Sequence, residues 1–445
     1  MIKRTRGRLL VACALVTGVI TIAAAQSGAQ SSGGNAGATD IGVTNSAVRI
    51  GVVADVDTPL SPGIFQGVVD GVRGAARYLN STAGGGGVAG RKVVVDFIDS
   101  KLNPTTSRNA IITACGQDFA LVGTAAIFLT NFDDAVGCHD QAGAATGIPD
   151  FGAVVSATEG CTPISFPVNP PNVLCSTMNM SPQTYQVNQG AFTYLLRDHG
   201  HLHGAMVYTN STKSGAIAGQ VLIEGPLHAG VKSDKTSGVG GQAQQSEFTP
   251  IVQQMKQDGS NFAYTVTSAP GAVELLSEAQ LQGLTDPNIV WSCTTACYDK
   301  TVTANPGVMN GLYVSMTFLP FEEVRASRGV ANFVKYVGPD KVNGFAVYGW
   351  SATLAFAQAA RAAVKQSGGK GLTRAALLDG AKTLTAFDAG GLLGTTDIAG
   401  KKQTACTAVV QLQKGKWVRL YPKKPGTFDC APRNHVEFPA DFANG

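Results

Sequence analysis

Short apolar runs alternate with amphipathic stretches of helical length along most of this chain, and that alternation limits the folds open to it. Buried strands are predicted over residues 48–54 and 92–98, with a helix over 67–79 between them. Parallel strands joined by helices of this length form βαβ units with right-handed crossovers. The chain is therefore predicted to be an α/β protein.

The alternation continues after these elements and is interrupted once. Residues 161–181 contain prolines and cysteines in place of an apolar period, which is typical of a connection between lobes. Because 420 residues after a 25-residue leader exceed what one core supports, two lobes are expected. Further helices are predicted over 104–115, 132–142, 183–198, 214–227, 345–365 and 372–384, further strands over 119–123, 149–155, 204–208 and 262–266, and a hairpin over 408–412 and 417–421.

The first residues have the pattern of a signal peptide. Four basic residues precede an apolar run over 9–22, and three alanines end the run before Gln26. The protein is therefore expected to be exported, to the periplasm or cell envelope, with cleavage after Ala25. An alternative stays open, because residues 10–13 (LVAC) have the form of a lipoprotein box whose Cys13 would carry lipid.

Eight of the nine cysteines follow the leader and fall in the sequence as close neighbours. An even number of cysteines in an exported chain indicates disulfides, because thiols pair and persist in an oxidising compartment. The predicted pairs are Cys115–Cys138, Cys161–Cys175, Cys293–Cys297 and Cys406–Cys430.

Charge gives little indication of a polyanionic partner. Four of the 34 basic residues lie in the leader, so the remaining chain has 30 basic and 30 acidic residues. A neutral chain without a basic run lacks the electrostatic footprint of nucleic-acid binding, and we expect no such partner.

Several short segments together point to a family. They are residues 87–93 (GVAGRKV), 120–123 (ALVG), 147–149 (GIP), 248–252 (FTPIV) with Lys256, 348–352 (YGWSA) and 390–394 (GGLLG). In order and spacing the chain resembles the type I extracytoplasmic solute-binding proteins of the leucine/isoleucine/valine-binding group, which feed ABC importers.

This resemblance implies the type I periplasmic-binding-protein fold, in which two Rossmann-like lobes are joined by a three-segment hinge. It divides the chain into a signal peptide (1–25), a flexible linker (26–46), lobe 1 (47–180 and 318–393), lobe 2 (181–317 and 394–432) and a C-terminal tail (433–445).

The resemblance also implies a ligand site in the cleft between the lobes, where strands end, and closure of the cleft on the ligand. In amino-acid-binding relatives one lobe holds the α-carboxylate and the other offers an acid to the α-ammonium. Here residues 292–297 (SCTTAC) lack that acid. The expected ligand-binding residues are Phe65, Phe128, Val155 and Ser156 of lobe 1 and Asn210, Lys213, Ser268 and Thr294 of lobe 2.

The missing acid sets an expectation about the ligand. A buried ammonium without a carboxylate costs several kcal/mol, so an organic acid, an amide or a largely apolar molecule suits this cleft better than leucine. Lys213 would pair with a carboxylate. The alternatives are that Lys213 is a solvated surface residue and that Phe65 and Phe128 are ordinary packing residues.

Signatures of catalysis and of metal binding are weak in this sequence. It has no Gly-x-Ser-x-Gly, His-Glu-x-x-His or Walker sequence, so neither an enzyme nor a cofactor is expected. His199, His201 and His203 alternate along the chain, but a metal site there is the less favoured interpretation. Cys293 and Cys297 could form half of a zinc site, and a disulfide is preferred.

Two functions of different class fit these observations. The first is the solute-binding component of an ABC importer, a monomer that captures a small organic ligand (an organic acid, an amide or an amino-acid-like molecule) and delivers it to permease subunits. The second is a ligand-sensing domain without a transport role, because fold alone cannot separate the two.

Overall fold

Two β-sheets of different size organise this fold. The computed structural model describes residues 37–58, 62–129, 131–369 and 371–442, and all of them lie in one unit, Asn35–Gly445. The described strands are β1 (Ala47–Ala54), β2 (Lys92–Asp99), β3 (Ala120–Val122), β4 (Asp150–Phe151), β5 (Gln183–Asn188), β6 (His203–Thr209), β7 (Lys232–Val239), β8 (Phe262–Val266), β9 (Val290–Cys293), β10 (Tyr313–Met316), β11 (Ala408–Gln413), β12 (Lys416–Tyr421) and β13 (His435–Ala440).

The helices alternate with these strands as the sequence predicts for an α/β protein. They are α1 (Gln66–Asn80), α2 (Pro104–Gln117), α3 (Asp133–Val136), α4 (Ala157–Gly160), α5 (Gly190–His199), α6 (Lys213–Ala229), α7 (Gln245–Asp258), α8 (Ala269–Leu281), α9 (Lys300–Thr303), α10 (Pro306–Met309), α11 (Arg328–Val337), α12 (Gly344–Gln366) and α13 (Arg374–Ala381). No helix in the described ranges is long and apolar enough to cross a membrane.

The smaller sheet belongs to lobe 1 and has the strand order β2-β1-β3-β4, with every pair parallel. Helices α1, α11 and α12 pack with one another in this lobe. The contact between α1 and α12 is unusually close, because a Cβ atom at Gly71 would lie 2.1 Å from the carbonyl oxygen of Ala346. A Cβ atom at Gly349 would likewise lie 2.1 Å from the carbonyl oxygen of Val68. Glycine at both positions therefore lets the two helix backbones touch.

The larger sheet belongs to lobe 2 and has the order β12-β11-β10-β9-β8-β6-β7. Strands β6 to β10 run parallel, and the antiparallel hairpin of β11 and β12 completes the edge next to β10. The predicted hairpin is confirmed. Its turn places Lys414 and Gly415 at positive φ, a backbone conformation that glycine adopts without strain.

The chain crosses between the lobes three times. The first crossing, residues 169–189, contains β5. The second, residues 317–320, follows β10, and the third, residues 393–407, leads into β11. The second and third crossings bond to each other, since the N–H of Gly394 donates to the carbonyl oxygen of Thr317 at 2.8 Å. The N–H of Leu319 also donates at 2.9 Å to the carbonyl oxygen of Leu392, the residue just before the third crossing.

All four predicted disulfides are confirmed. The Cα–Cα distances are 5.8 Å for Cys115–Cys138, 5.1 Å for Cys161–Cys175, 6.0 Å for Cys293–Cys297 and 3.8 Å for Cys406–Cys430.

Two helix predictions were wrong in extent. The helix predicted over 183–198 begins only at Gly190, because the residues before it form β5 and pair along their whole length with β13. The helix predicted over 132–142 is the single turn α3, which stops at Gly137. A polar turn follows, in which Asp140 accepts hydrogen bonds from the N–H groups of Ala142 and Ala144.

Two described segments that were predicted to be flexible are folded. Residues 37–46, predicted as the end of a flexible linker, lie against lobe 1, where Asp40 and Val43 are buried. Residues 433–445, predicted as a tail, contain β13. The predicted leader over 1–25 and Cys13 lie outside the described residues.

Candidate ligand-binding cleft

A buried carboxylate fixes the strand ends of lobe 1. Asp55 directly follows β1 and is fully buried. Its carboxylate accepts hydrogen bonds from the Ser100 hydroxyl and from the N–H groups of Leu102 and Ile127, at 2.6, 2.7 and 2.8 Å. The loops after β1, β2 and β3 are therefore held at one edge of the sheet. Because Asp55 is fully buried and bonds three loop groups of its own lobe, its observed role is that of a scaffold residue behind the cleft wall.

The four predicted lobe-1 site residues divide between core and rim. Phe65 is 3% exposed and packs edge-on against Phe345 at 5.1 Å, so the structure places it in the core. Phe128, Val155 and Ser156 are each partly exposed in the loops after β3 and β4. Ser156 caps α4, where its Oγ accepts a hydrogen bond from the N–H of Glu159 at 3.2 Å.

The four predicted lobe-2 site residues all follow the carboxyl ends of parallel strands. Asn210 and Lys213 lie after β6, and both are exposed. Lys213 is the first residue of α6. Ser268 is exposed after β8 and Thr294 is half-buried after β9.

The three hydroxyl residues of the predicted site share one local role, that of capping a helical turn. Like Ser156, Ser268 and Thr294 cap the turn that follows them, and they accept hydrogen bonds from Gly271 and Ala296 at 3.3 Å. A hydroxyl that accepts a cap bond still has its O–H donor. Each of these strand-end hydroxyls therefore keeps an O–H donor, and one further lone pair, with which it can meet a ligand.

The loop after β9 contacts lobe 1 directly. A Cβ atom at Gly344, the first residue of α12, would lie 3.4 Å from the carbonyl oxygen of Thr295. Tyr298 of the same loop is 3% exposed; its hydroxyl donates to Glu322 and accepts a 2.8 Å hydrogen bond from the N–H of Phe321. Burial raises the pKa of Glu322 and, more strongly, that of Tyr298. The Glu322 carboxylate is thus already hydrogen-bonded to another residue of the protein.

A cavity of about 50 Å³ lies where the three crossings meet. A volume of this size holds only a few water-sized groups. Its lining is mostly polar and includes Asn188, Thr317, Tyr348, Thr396, Gln403 and Thr404.

A group of titratable residues lies behind the loop that carries Ser156. Asp150 is fully buried and accepts hydrogen bonds from the hydroxyls of Thr124 and Ser165, at 2.6 and 2.7 Å. Burial nevertheless raises the pKa of Asp150 to about 6. Burial also raises the pKa of Glu159 well above its ordinary value, and the Asp150 charge adds to this, while the N–H of Ser156 partly offsets it.

Lys401 of the third crossing reaches the same group of residues. Its ammonium donates to the carbonyl oxygen of Thr162 at 2.5 Å. Burial lowers the pKa of Lys401 to about 8, and the nearby Asp150 charge opposes that shift. Asp150, Glu159 and Lys401 were not predicted as a group, because no local sequence pattern places residues 150, 159 and 401 together.

The alternating histidines have separate partners. His199 bonds to the Tyr313 hydroxyl at 3.0 Å, whereas His203 bonds to Asp234 at 2.8 Å. Within the described residues, no three histidine, cysteine or acidic side chains are placed to hold a metal ion.

Comparisons with known proteins agree with this architecture. The model of the periplasmic binding protein family matches residues 47–416, most of the chain. The chain belongs to the periplasmic binding protein family. No curated protein matches the sequence significantly.

Solved structures of similar fold include several substrate-binding proteins. An ABC transporter substrate-binding protein from Aeropyrum pernix is 16% identical, with a TM-score of 0.66 over 87% of this chain and 97% of that chain. A leucine-binding protein from Thermotoga maritima is 14% identical, with a TM-score of 0.61 over 84% and 98%. A solute-binding protein from R. palustris in complex with benzoate is 18% identical, with a TM-score of 0.61 over 84% and 96%. At these identities the likeness shows the fold, and the predicted type I periplasmic-binding-protein fold is confirmed.

Family membership sets the broad class of this protein. Periplasmic binding proteins are extracytoplasmic and bind small molecules, so the chain is a binding protein rather than a member of an enzyme family. Its ligand depends on the cleft residues, which differ among members of one fold.

Proposed function

We propose that this periplasmic binding protein is the solute-binding component of an ABC importer and captures a small organic acid between its lobes. Export would use residues 1–25 as a cleaved signal peptide, and the mature protein would act as a monomer. The ligand would lie between Phe128, Val155 and Ser156 on one side and Asn210, Lys213, Ser268 and Thr294 on the other, with Phe65 supporting the wall from behind.

The observation that carries this proposal is the donor character of the strand ends. Ser156, Ser268 and Thr294 each use an oxygen lone pair for a cap and keep an O–H donor. Lys213 adds a cation in the first turn of α6, where the helix dipole also favours a negative group. Donors and a cation match a carboxylate, and the partly exposed Phe128 and Val155 match an apolar body.

The nearby acids support the same choice of ligand. Asp55 is fully buried and accepts three hydrogen bonds from its own lobe, and Glu322 is bonded to Tyr298. Neither of these two acids is therefore placed to pair with an α-ammonium, whose burial without an anionic partner would cost several kcal/mol. The benzoate complex of the R. palustris protein shows that the fold accommodates an aromatic acid.

Capture would involve closure of the cleft about the three crossings. Few residues cross, so small changes of backbone dihedral angle there can move one lobe relative to the other. A closed form that differs in shape from the open one would give a permease a means of telling loaded from empty protein.

The ligand class can be tested by calorimetry with a matched series. Benzoate should bind, benzamide of the same shape should bind more weakly, and leucine should bind weakly or not at all. Lys213→Ala should weaken benzoate by about 10- to 100-fold, the effect of losing one charge-assisted hydrogen bond. Lys232→Ala, which removes another exposed lysine on β7, serves as the control and should leave binding unchanged.

Binding of leucine with micromolar affinity, or equal affinity of benzoate for wild type and Lys213→Ala, would show this site to be wrong. The importer role has a separate test. Cells that lack the gene should lose uptake of the ligand and regain it when the gene is restored, whereas a purely sensing protein would leave uptake intact.

A further inference from the structure

We propose that residues 429–442 form a strap that binds the first and third crossings together and limits how far the two lobes can open. The match to the family model ends at residue 416, so this segment lies beyond the part of the chain that the model covers. The inference goes beyond ligand capture and rests only on the hinge motion that the proposed function includes.

The strap is paired to the first crossing along its whole strand. β13 runs antiparallel to β5, with His435 opposite Asn188 at one end and Ala440 opposite Gln183 at the other. A single crossing segment has thereby become a two-stranded ribbon. Bending such a ribbon requires its ladder hydrogen bonds to deform together, so it is stiffer than one extended chain.

The strap is also fastened to the third crossing. Thr407 and Asp429 exchange main-chain hydrogen bonds at 2.8 and 3.0 Å. Asn434 is 1% exposed, and its side-chain amide donates to the carbonyl oxygens of Ala405 and Asp429, both at 3.1 Å. The Cys406–Cys430 disulfide adds a covalent link beside these bonds.

One apolar cluster contains residues of the strap and of both lobes. Phe438 is 7% exposed and forms a small core with Tyr185 of β5 and Val221 of α6 in lobe 2. Ala157 and Cys161 of lobe 1 pack against the same cluster. The cluster therefore spans the interlobe boundary beside the first crossing, and opening the lobes widely would separate its members from one another.

These contacts lead to a specific mechanical expectation. Hinge motion changes the dihedral angles of a few crossing residues. Here the strap reinforces two crossings that also bond directly, through Gln186 to Lys401 and Asn188 to Thr404, at 2.9 Å each. The open state should therefore be narrow in its range of interlobe angles. A chain without the strap should sample wider openings.

The interlobe distance distribution of the ligand-free, disulfide-bonded protein tests the strap. Spin-labelled unnatural amino acids at Ile112 of α2 and Leu281 of α8, which are 47% and 73% exposed, report the separation of the lobes by pulsed electron paramagnetic resonance. A chain that ends at Ala431 should give a distribution about twofold broader and shifted to longer distances. A chain that ends at Phe442 keeps β13 and should match the full-length protein.

A second variant guards against loss of folding in the truncated chain. The double substitution Asn434→Ala and Phe438→Ala removes the fastening to Ala405 and the apolar anchor while keeping the backbone. This variant should also broaden the interlobe distance distribution and shift it to longer distances. Folded variants, judged by circular dichroism, whose distributions equal that of the full-length chain would overturn the strap. Because no ligand is added, that result would leave the proposed organic-acid specificity untouched.

Discussion

The main-chain N–H of Arg374 donates a 2.6 Å hydrogen bond to the carboxylate of Asp40, although 334 residues separate the two along the chain. The same carboxylate accepts from the N–H groups of Ile41 and Gln141, at 2.8 and 3.0 Å. The Arg374 side chain is fully buried and donates to four main-chain carbonyl groups, including that of Asp118 at 2.6 Å. The segment around Asp40 is thus fixed to the base of lobe 1.

Replacing Asp40 should destabilise lobe 1 as a whole. Asp40→Ala leaves the N–H groups of Arg374 and Gln141 without an acceptor, which should lower the free energy of unfolding by about 2–4 kcal/mol. Urea unfolding followed by circular dichroism measures this change. Asp57→Ala is the control, because the Asp57 side chain is 84% exposed, and it should have little effect. Equal stability of the two variants would contradict the role assigned to Asp40.

Asp118 should make the protein less stable as the pH rises. Its carboxyl group is buried beside Asp96, which is itself paired with Arg49 at 2.7 Å. Burial first, and the Asp96 carboxylate second, raise the pKa of Asp118 from 3.8 to about 8. Between these two pH values the folded state keeps a proton that the unfolded state has lost, so stability falls across that window.

Asp118→Asn should remove this part of the pH dependence. The variant should resemble wild type near pH 4 and exceed its stability by on the order of a few kcal/mol at pH 8, since the amide mimics the protonated acid. Urea midpoints at pH 5, 6.5 and 8 give the comparison. Asp150 and Glu159 also have raised pKa values, so they lower the stability of wild type and variant alike as the pH rises. The difference between the two plots of stability against pH therefore isolates the contribution of Asp118. Parallel curves would show that Asp118 is already ionised in the fold.

Much of this fold follows from local sequence, and its exceptions have a common cause. The strands over 48–54 and 92–98 are apolar enough to be recognised alone, and the structure has them as β1 and β2. β5 was predicted as helix because its strand conformation depends on β13, about 250 residues later in the chain. Polar β7 was not predicted, because an exposed edge strand lacks the apolar alternation that marks a half-buried one.

The candidate site residues also differ in whether local sequence or a distant contact determines their position. The strand-end positions of Ser156, Ser268 and Thr294 follow from the order of elements, because parallel strands end at one edge of a sheet. The burial of Phe65 against Phe345 depends on a helix that begins 279 residues after it. No local pattern indicates such a contact.

Arg419 and Glu323 form a buried ion pair that fixes the segment after the second crossing to β12. Their side chains are 7% and 8% exposed, and Glu323 also accepts a 2.7 Å hydrogen bond from the N–H of Gly426. Arg419→Met should lower the free energy of unfolding by about 3–5 kcal/mol, because the Glu323 charge is left buried without a cation. Adding Glu323→Gln to this variant should restore much of the loss.

The matched control for the ion pair lies on the surface. Lys382 and Asp379 are also paired, at 2.8 Å, but their side chains are 69% and 65% exposed. Lys382→Met should therefore change stability by no more than about 0.5 kcal/mol. A similar loss in Arg419→Met and Lys382→Met would mean that the buried pair contributes no more than an exposed one.

Gly71 sets the distance between α1 and α12, and its replacement should separate them. In Gly71→Ala the new Cβ atom would lie 2.1 Å from the carbonyl oxygen of Ala346 and 2.8 Å from the nitrogen of Trp350, both main-chain atoms that cannot rotate away. We expect a loss of about 1–3 kcal/mol or more in the free energy of unfolding, as for an overpacked core.

Gly116 is the matched control for Gly71, because it also lies within a helix but has no neighbouring atom within 4 Å of an added Cβ. Gly116→Ala should raise stability by about 0.5–1 kcal/mol, since alanine loses less backbone entropy on folding than glycine. Thermal and urea unfolding of the two variants should therefore shift in opposite directions from wild type. A stabilised Gly71→Ala protein would show that α1 and α12 are not in the close contact described, and the packing of lobe 1 would have to be revised.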